Sequence, residues 1–243
     1  MILPIVASLL LIFPQVRIPG PGGKAAGGGG GTAPSVVQAC KAVGSGLNSS
    51  ANCTMGSNVT TGDKLYVEFF INAGGSTGQT ISSSGTGCSG ISWTGGAALQ
   101  TFTGTSFNSY YANATVSGTG SCTITVSQTG TTADIDVIGI ETSNDNGLDI
   151  GWTWHADGFQ TNPVTQTINP TLNNDLILAG FNSNEGGTPS VNAPFALVTN
   201  GYNTSPSNVT AQYQQPTATS ISATFGTMNG AQTNSFILAI KHP

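Results

Sequence analysis

The sequence predicts an all-β fold, an antiparallel β-sandwich of the jelly-roll or immunoglobulin-like kind. Of its 243 residues, 34 are Gly, and Thr, Ser and Asn are also abundant. This mixture favours strands and turns over helices. Short alternations of apolar and polar residues recur between turn-forming clusters, which is typical of sandwiches and barrels. No stretch has the 3.6-residue period of an amphipathic helix.

Charged residues are scarce, and this scarcity excludes several classes of protein. Asp, Glu, Lys and Arg make up 6% of the chain, and the formal net charge is -5. Ordinary soluble domains have about 25% charged residues. Coiled coils and helices held by ion pairs are therefore excluded. Because no basic surface is available for phosphate groups, we expect no nucleic-acid partner.

Residues 1–16 form an apolar N-terminal segment. As a helix, the run from Ile2 to Phe13 would span about 18 Å. This is shorter than a hydrocarbon core of about 30 Å, so we expect no transmembrane span. A signal peptide, a membrane-surface anchor and a donor strand for a neighbouring subunit are the alternatives. The predicted anchor residues are Ile2, Leu3, Ile5, Val6, Leu9, Leu10, Leu11, Ile12 and Phe13.

Residues 17–34 are rich in Pro and Gly, with an unbroken run of glycines that begins at Gly27. Such a composition is typical of a flexible tether. We therefore predict three parts, namely the apolar segment 1–16, the tether 17–34 and a β-sandwich domain over residues 35–243.

The clearest strand is Lys64–Asn72. Its Leu65 and Val67 face one way, whereas Tyr66 and Glu68 face the other. Because both faces are mainly apolar, this strand is predicted to be central in a sheet. Further strands are predicted over residues 121–128, 133–141, 149–155, 175–181, 220–225 and 235–241.

The two halves of the domain resemble each other. Residues 61–65 (TGDKL) correspond to residues 173–177 (NNDLI), and residues 137–140 (VIGI) correspond to residues 237–240 (ILAI). This spacing of about 100 to 110 residues predicts an internal two-fold repeat. Two interlocked halves of one sandwich are the simpler arrangement, because no linker separates them. Two stacked sandwiches are the alternative.

The chain resembles a widespread β-sandwich module of bacterial and phage-associated extracellular proteins in five segments: VTTGDKL, YYANATVSGTGSCTITVS, ADIDVIGIETSNDNGLD, NDLILAG and NSFILAIK. The resemblance covers about residues 59–241. Its motifs are structural patterns and include no catalytic signature. It implies a non-enzymatic domain of secreted, cell-surface or virion proteins, often attached to adhesive or structural chains.

The four cysteines, Cys40, Cys53, Cys88 and Cys122, lack the two-residue spacing of a zinc site. An even number in a chain that looks secreted favours two disulfides. Three pairings are possible, of which we favour Cys40 with Cys53 and Cys88 with Cys122. Four reduced thiols in a cytosolic protein are the alternative.

Few residues are suited to catalysis or to metal binding. His155 and His242 are the only imidazoles, and no Gly-x-Ser-x-Gly elbow occurs in a strand-turn-helix context. Glu68 and Glu141 are interpreted as buried or edge carboxylates that backbone or Lys partners satisfy. The oxygen-rich segment 143–149 lacks the spacing of an EF-hand and is explained by a turn. We expect no catalytic residue, no metal site and no cofactor.

Aromatic side chains are the candidate ligand-binding residues. Trp152 and Trp154 are two apart and would share one face of a strand, while Tyr110 and Tyr111 belong to a second cluster. If exposed, they would offer a platform for sugar rings. The alternative, which the alternation favours, is that both tryptophans continue the core face of Ile150.

Together these features predict a non-enzymatic structural or adhesive protein at the cell surface, at the virion surface or outside the cell. The apolar segment would anchor it or assemble it into a homo-oligomer. A carbohydrate-binding module that uses the four aromatic residues is the alternative, with a glycan as its partner.

Overall fold

The computed structural model describes residues 31–43, 50–72, 77–94, 102–103, 108–129, 134–160, 164–183, 190–202, 207–226 and 231–243. All the elements of regular secondary structure in these ranges are β-strands, so the all-β prediction is confirmed. The strands up to residue 143 are β1 (Ser35–Val43), β2 (Ser50–Thr54), β3 (Lys64–Asn72), β4 (Thr77–Ser84), β5 (Phe102–Thr103), β6 (Asn108–Thr115), β7 (Thr123–Thr129) and β8 (Asp134–Ser143). The strands after it are β9 (Leu148–Gln160), β10 (Val164–Ile168), β11 (Asp175–Ser183), β12 (Ser190–Val191), β13 (Ala196–Tyr202), β14 (Ser207–Gln215), β15 (Ile221–Gly226) and β16 (Ala231–Ile240).

The described strands form four antiparallel sheets, two from each half of the chain. In the first half the orders are β1-β8-β3-β6-β5 and β2-β7-β4. In the second half they are β9-β16-β11-β14-β13 and β10-β15-β12. Adding eight to each strand number of the first half gives the strand orders of the second half.

Three apolar clusters hold these sheets together. The first joins β3 to β2 and β7 through residues such as Val67, Cys53 and Ile124. The second joins β11 to β10 and β15. The third lies between the two five-stranded sheets, where Tyr66 and Ile138 of the first half meet residues of β11 and β16. The layers therefore run three-stranded, five-stranded, five-stranded, three-stranded.

This layering differs from the simpler arrangement expected from the sequence. Among the described strands, pairing occurs only within a half, so the halves are not interlocked in one sandwich. Each half instead packs its own two sheets in a sandwich-like manner, and the halves stack. The apolar residues on the second face of each five-stranded sheet explain the difference, because that face also needs cover.

Strand β3 shows how the pattern produces the stack. It runs from Lys64 to Asn72, the bounds that alternation predicts, and it lies between β8 and β6. Leu65 and Val67 enter the first cluster, whereas Tyr66 enters the cluster between the five-stranded sheets. The prediction of a central strand with two buried faces is therefore confirmed.

Strand β9 departs from the predicted alternation. Its register against β16 shifts between the pairs Ile150 with Ala239 and Thr153 with Ile237. One extra residue of β9 lies between these pairs, which is a β-bulge. As a result Ile150 packs in the second cluster, while Trp152 packs in the third. The expectation that Trp152 continues the face of Ile150 is wrong for this reason.

Residues 1–30 lie outside the described ranges, and with them the predicted apolar segment and most of the tether. Within the described ranges, no helix is long and apolar enough to cross a membrane.

Candidate functional site

Charge is distributed unequally over the four sheets. No Asp, Glu, Lys, Arg or His occurs in the strands of the two three-stranded sheets, which are the outer layers. Every Asp, Glu, Lys and Arg of the described strands lies in the two inner sheets. The outer layers therefore contact their surroundings through uncharged groups.

The outer face of β2-β7-β4 is a regular array of hydroxyl and amide side chains, three in each strand. Strand pairing aligns them in three rows, with Thr125 of β7 at the centre, opposite Asn52 and Ser82. The edge strands expose these side chains, and those of β7 are half-buried between them. We call this array the hydroxyl face; its members are Ser50, Asn52, Thr54, Thr80, Ser82, Ser84, Thr123, Thr125 and Ser127.

Hydrogen bonds within the hydroxyl face are few. The hydroxyls of Thr54 and Thr123 are 3.0 Å apart, and Thr125 donates to Oδ1 of Asn52 at 2.8 Å. The other five side chains of the face make no hydrogen bond to a described residue. Their donors and acceptors are thus available to an external ligand.

Two disulfides support this face from below. Cys53 of β2 points into the first cluster and is bonded to Cys40 of β1 in the sheet beneath. Cys122 directly precedes β7 and is bonded to Cys88, in the turn after β4. Both bonds are the pairings that the sequence favoured. All four cysteines belong to the first half, so only one outer sheet has this covalent support.

The outer face of β10-β15-β12 is smaller, and four of its hydroxyls are paired. Thr165 and Thr224 are 3.0 Å apart, and Thr167 and Ser222 are 2.7 Å apart. Each of these pairs shares one hydrogen bond, as Thr54 and Thr123 do on the hydroxyl face. The two outer faces therefore share composition but differ in the number of free hydrogen-bonding groups.

Sequence reasoning missed the hydroxyl face, although a signal for it exists. In β2, β4 and β7 every second residue is Ser, Thr or Asn, and the residues between them include Cys53, Ile81 and Ile124. Alternation of this kind places the polar residues on one face. What alternation cannot give is the order β2-β7-β4, which brings the three rows side by side.

Of the predicted aromatic residues, Trp152 and Tyr111 come together. Their rings are stacked, with centroids 4.5 Å apart and an angle of 24° between the planes. Phe236 and Tyr66 flank Trp152, with centroid distances of 4.8 and 6.3 Å. Trp152 and Tyr111 are both half-buried between the inner sheets.

The other two predicted aromatic residues lie elsewhere. Tyr110 is 2% exposed and stacks on Phe69, with ring centroids 4.9 Å apart, inside the first cluster. Its side chain is part of the core. Trp154 lies in β9 opposite Phe236, and its side chain is outside the described part of the structure.

A cleft of about 350 Å³ is lined in part by Tyr66, which also flanks Trp152 of this stack. The wall is mainly polar, and Lys64 donates to the hydroxyl of Thr115 at 2.6 Å. The cleft is lined by Lys64, Tyr66, Thr94, Asn113, Thr115 and Leu148, among others.

A second cleft of about 400 Å³ occupies the corresponding position in the other half. The first cleft lies against β3, β6 and the start of β9, and the second against β11, β14 and the start of β1. The lining of the second cleft is more apolar, because Leu176 of β11 corresponds to Lys64 of β3. The two clefts therefore share a location but not a chemistry.

The carboxylates that sequence analysis considered are buried. Glu141 accepts hydrogen bonds from the backbone amide of Thr60 at 2.9 Å and from Gln38 at 2.6 Å, which agrees with a structural role. Glu68 faces the second half and accepts a hydrogen bond from the hydroxyl of Thr210. Burial raises the pKa of Glu68 to about 8, although this hydrogen bond lowers it.

Two further carboxylates have raised pKa values. Burial, and then a hydrogen bond with Glu141, raises the pKa of Asp63 to about 6. Burial, and then the neighbouring Asp149, raises the pKa of Asp175 to about 7. Asp149 is itself held by Thr171, whose hydrogen bonds lower its pKa in spite of burial.

No cluster of three His, Cys, Asp or Glu residues suited to a metal ion occurs in the described ranges. No protein-family model, no curated protein and no solved structure matches this chain.

Proposed function

We propose that this protein is a non-enzymatic, surface-exposed structural or adhesive component of an extracellular assembly, a cell envelope or a virion. The observation that carries this proposal is the hydroxyl face, supported by the absence of charge from the strands of both outer sheets. Neutral hydroxyl and amide groups make hydrogen bonds with little cost of desolvation, which suits repeated surface contacts.

The area of the hydroxyl face indicates how it would work. Three strands that lie about 4.8 Å apart and are about five residues long give the face an area of roughly 240 Å². A stable protein interface buries about 800 Å² on each partner. One such face is therefore a weak contact, and adhesion through it depends on many copies held together. Assembly through the apolar residues 1–16 would supply that multivalency.

The two disulfides are consistent with a secreted location. Two disulfides are typical of oxidising compartments and are rare in reducing cytosol. The resemblance to extracellular β-sandwich modules points the same way.

We further propose that each half is a jelly-roll and that the halves form an internal repeat. The sheet orders support this, because β9 to β16 are arranged as β1 to β8 are. The corresponding locations of the two clefts support it as well. The repeat would explain why two sandwich-like units follow one another without a linker.

The adhesive role is tested with Thr125→Lys, which puts a charge at the centre of the hydroxyl face. We expect self-association of the full chain to weaken but not to disappear in sedimentation velocity, because the contact would have to desolvate an ammonium group while residues 1–16 are unchanged. Thr224→Lys on the other outer face is the matched control. Equal association of Thr125→Lys and the unaltered protein would refute the role of this face.

The assembly role of residues 1–16 is tested separately. Replacement of Leu9, Leu10 and Leu11 by Ser should leave a folded protein that sediments as a monomer, because the apolar surface is lost. Replacement of Ala25 and Ala26 by Ser in the tether is the control. Unchanged assembly in the leucine variant would contradict the assignment.

A second candidate function is glycan binding at the first cleft. The specific observation is that Tyr66 joins a polar cleft to the Trp152–Tyr111 stack. Binding on a glycan array should disappear in Tyr66→Ala, with Tyr213→Ala of the second cleft as the control. A wild-type protein that binds no glycan on the array would exclude this candidate.

A further inference from the structure

Two carboxyl groups meet at one end of the second half. Asp149 is the second residue of β9 and Asp175 is the first residue of β11, and β16 lies between these strands. The two carboxyl groups are close enough to share a hydrogen bond. Two negative charges at this distance repel each other, and burial strengthens the repulsion. A positive charge is therefore needed beside them when both are ionised.

A β-bulge brings Asp149 to this position. Leu148 pairs with Ile240 of β16 and Ile150 pairs with Ala239, so Asp149 is an extra residue between two consecutive pairs. On the other side of β16, Ile240 pairs with Leu176, the neighbour of Asp175. Bulges commonly redirect a side chain next to a functional site. Here the bulge lies level with Asp175.

Asp175 lacks the partners that a buried carboxylate needs. It is fully buried, and neither of its carboxylate oxygens has a hydrogen-bond donor among the described residues. Lys241 attracts the charge of Asp175 but does not come within hydrogen-bond distance of it. Because a buried charge without a partner is costly, both oxygens of Asp175 are available to a ligand.

Asp149 is held in place but keeps room for a ligand. Its Oδ2 accepts a hydrogen bond from the backbone amide of Thr171 at 2.6 Å, and its Oδ1 accepts one from the Thr171 hydroxyl. Thr171 lies in the turn between β10 and β11. Each carboxylate oxygen has two lone pairs, so both oxygens of Asp149 can accept a further contact. Asp149 is half-buried, which leaves one side of the pair open to solvent.

A shared proton would satisfy only part of this arrangement. It would join one oxygen of Asp175 to Asp149 and leave the other oxygen of Asp175 buried without a partner. A calcium ion can contact both oxygens of a carboxylate at once. Two carboxylates offer up to four of the roughly six to eight oxygens that calcium takes, and water on the solvent side of Asp149 can complete the set.

The corresponding place in the first half is already satisfied by protein donors. Asp63 corresponds to Asp175 in the repeat, and its carboxyl neighbour is Glu141. The two oxygens of Glu141 accept hydrogen bonds from the backbone amide of Thr60 and from Gln38, and Asp63 is half-buried rather than buried. We therefore expect no cation there.

We propose that Asp149 and Asp175 bind a calcium ion, which ties β9 to β11 and to the turn before it. Both disulfides lie in the first half, so this ion would be the cross-link of the second half. We expect a Kd of the order of 10⁻⁴ to 10⁻³ M, as in extracellular calcium-binding modules. The proposal does not depend on the hydroxyl face or on adhesion.

The test is isothermal titration of the full chain with calcium chloride, after removal of metal by EDTA and dialysis. The pH is kept above about 7, the value to which burial and Asp149 raise the pKa of Asp175. The unaltered protein should bind one calcium ion per chain. Asp175→Asn should weaken binding by about tenfold or more, because the affinity of such sites follows the number of charged ligands. Asp63→Asn, which removes the same charge from the corresponding position, should bind as the unaltered protein does.

Two results would overturn the proposal. One is the absence of calcium binding by the unaltered protein, which would leave a shared proton as the only link between the carboxyl groups. The other is an equal loss in Asp175→Asn and Asp63→Asn when both are folded by circular dichroism. If Asp175→Asn does not fold, Asp149→Asn replaces it, since Asn still offers an acceptor to Thr171. The adhesive function is judged separately, by self-association of Thr125→Lys.

Discussion

Glu68 is the residue at which the two halves make their most demanding contact. It is 2% exposed, its Oε1 accepts the Thr210 hydrogen bond, and its Oε2 has no hydrogen-bond partner among the described residues. Space for it exists because residue 180 is Gly. A Cβ at Gly180 would lie 2.8 Å from Oε2 of Glu68 and 2.0 Å from Cε1 of Phe236. Glu68 and Gly180 are therefore a matched pair.

Glu68→Gln should make stability less dependent on pH. The folded protein keeps the Glu68 proton up to a pKa of about 8, whereas the unfolded chain releases it near 4.5. Stability thus falls as pH rises between these values, by up to roughly 1 kcal/mol for each pH unit. Gln removes this contribution and keeps an acceptor for Thr210. Urea unfolding at several pH values measures the difference.

Two other carboxyl groups also make the stability fall as pH rises, but they do not affect the comparison between Glu68→Gln and the unaltered protein. Asp63 and Asp175, with pKa values raised to about 6 and about 7, are present in both proteins. Their contribution cancels in the difference between the variant and the unaltered chain. A Glu68→Gln protein that loses stability with pH as steeply as the unaltered protein would show that Glu68 ionises normally.

Sequence could predict part of this residue-level picture. An acidic residue in an apolar strand indicates a buried carboxylate, and both Glu68 and Glu141 are buried. The partner of Glu68 could not be predicted, because Thr210 lies 142 positions away in the other half. Only the stacking of the two five-stranded sheets brings them together.

At the scale of elements, alternation was informative for seven of the described strands, namely β3, β7, β8, β9, β11, β15 and β16. It gave both ends of β3 and located β7, β8, β11, β15 and β16 to within a few residues. It failed in β9, where the bulge after Ile150 moves Trp152 to the opposite face. A bulge depends on pairing with β16, so periodicity within one strand cannot reveal it. No predicted strand covered β1, β4 or β10, and short strands such as β5 and β12 also gave no signal.

The two disulfides should contribute unequally to stability. The bond from Cys88 to Cys122 spans 34 residues, and the bond from Cys40 to Cys53 spans 13. Restriction of the unfolded chain predicts losses of about 4 and about 3 kcal/mol when each pair is replaced by Ala. Urea unfolding under non-reducing conditions measures both losses. A larger loss for the shorter loop would contradict the entropic account.

At the scale of the whole molecule, the apolar cluster between the inner sheets makes the halves depend on each other. Tyr66, Ile138, Leu178 and Leu238 are all buried there. Neither half alone would cover these side chains. Sequence showed that β3 has two apolar faces, but it could not show that the second face meets the other half.

Leu238→Ala should therefore destabilise the entire chain by about 2 to 5 kcal/mol, since it leaves a cavity in that cluster. Leu172→Ala is the control, because Leu172 is 41% exposed, and it should change stability by no more than about 0.5 kcal/mol. Differential scanning calorimetry provides the measurement. Two separate transitions in the unaltered protein, of which Leu238→Ala lowers only one, would show that the halves unfold independently.

The confinement of strand charges to the inner sheets affects how the outside of the molecule responds to its medium. Attraction between exposed charges weakens as dissolved ions accumulate, with a range of about 8 Å at physiological ionic strength. The strands of the outer sheets offer no such charges to screen. Contacts made by these strands should therefore have nearly the same strength at low and at high salt concentration.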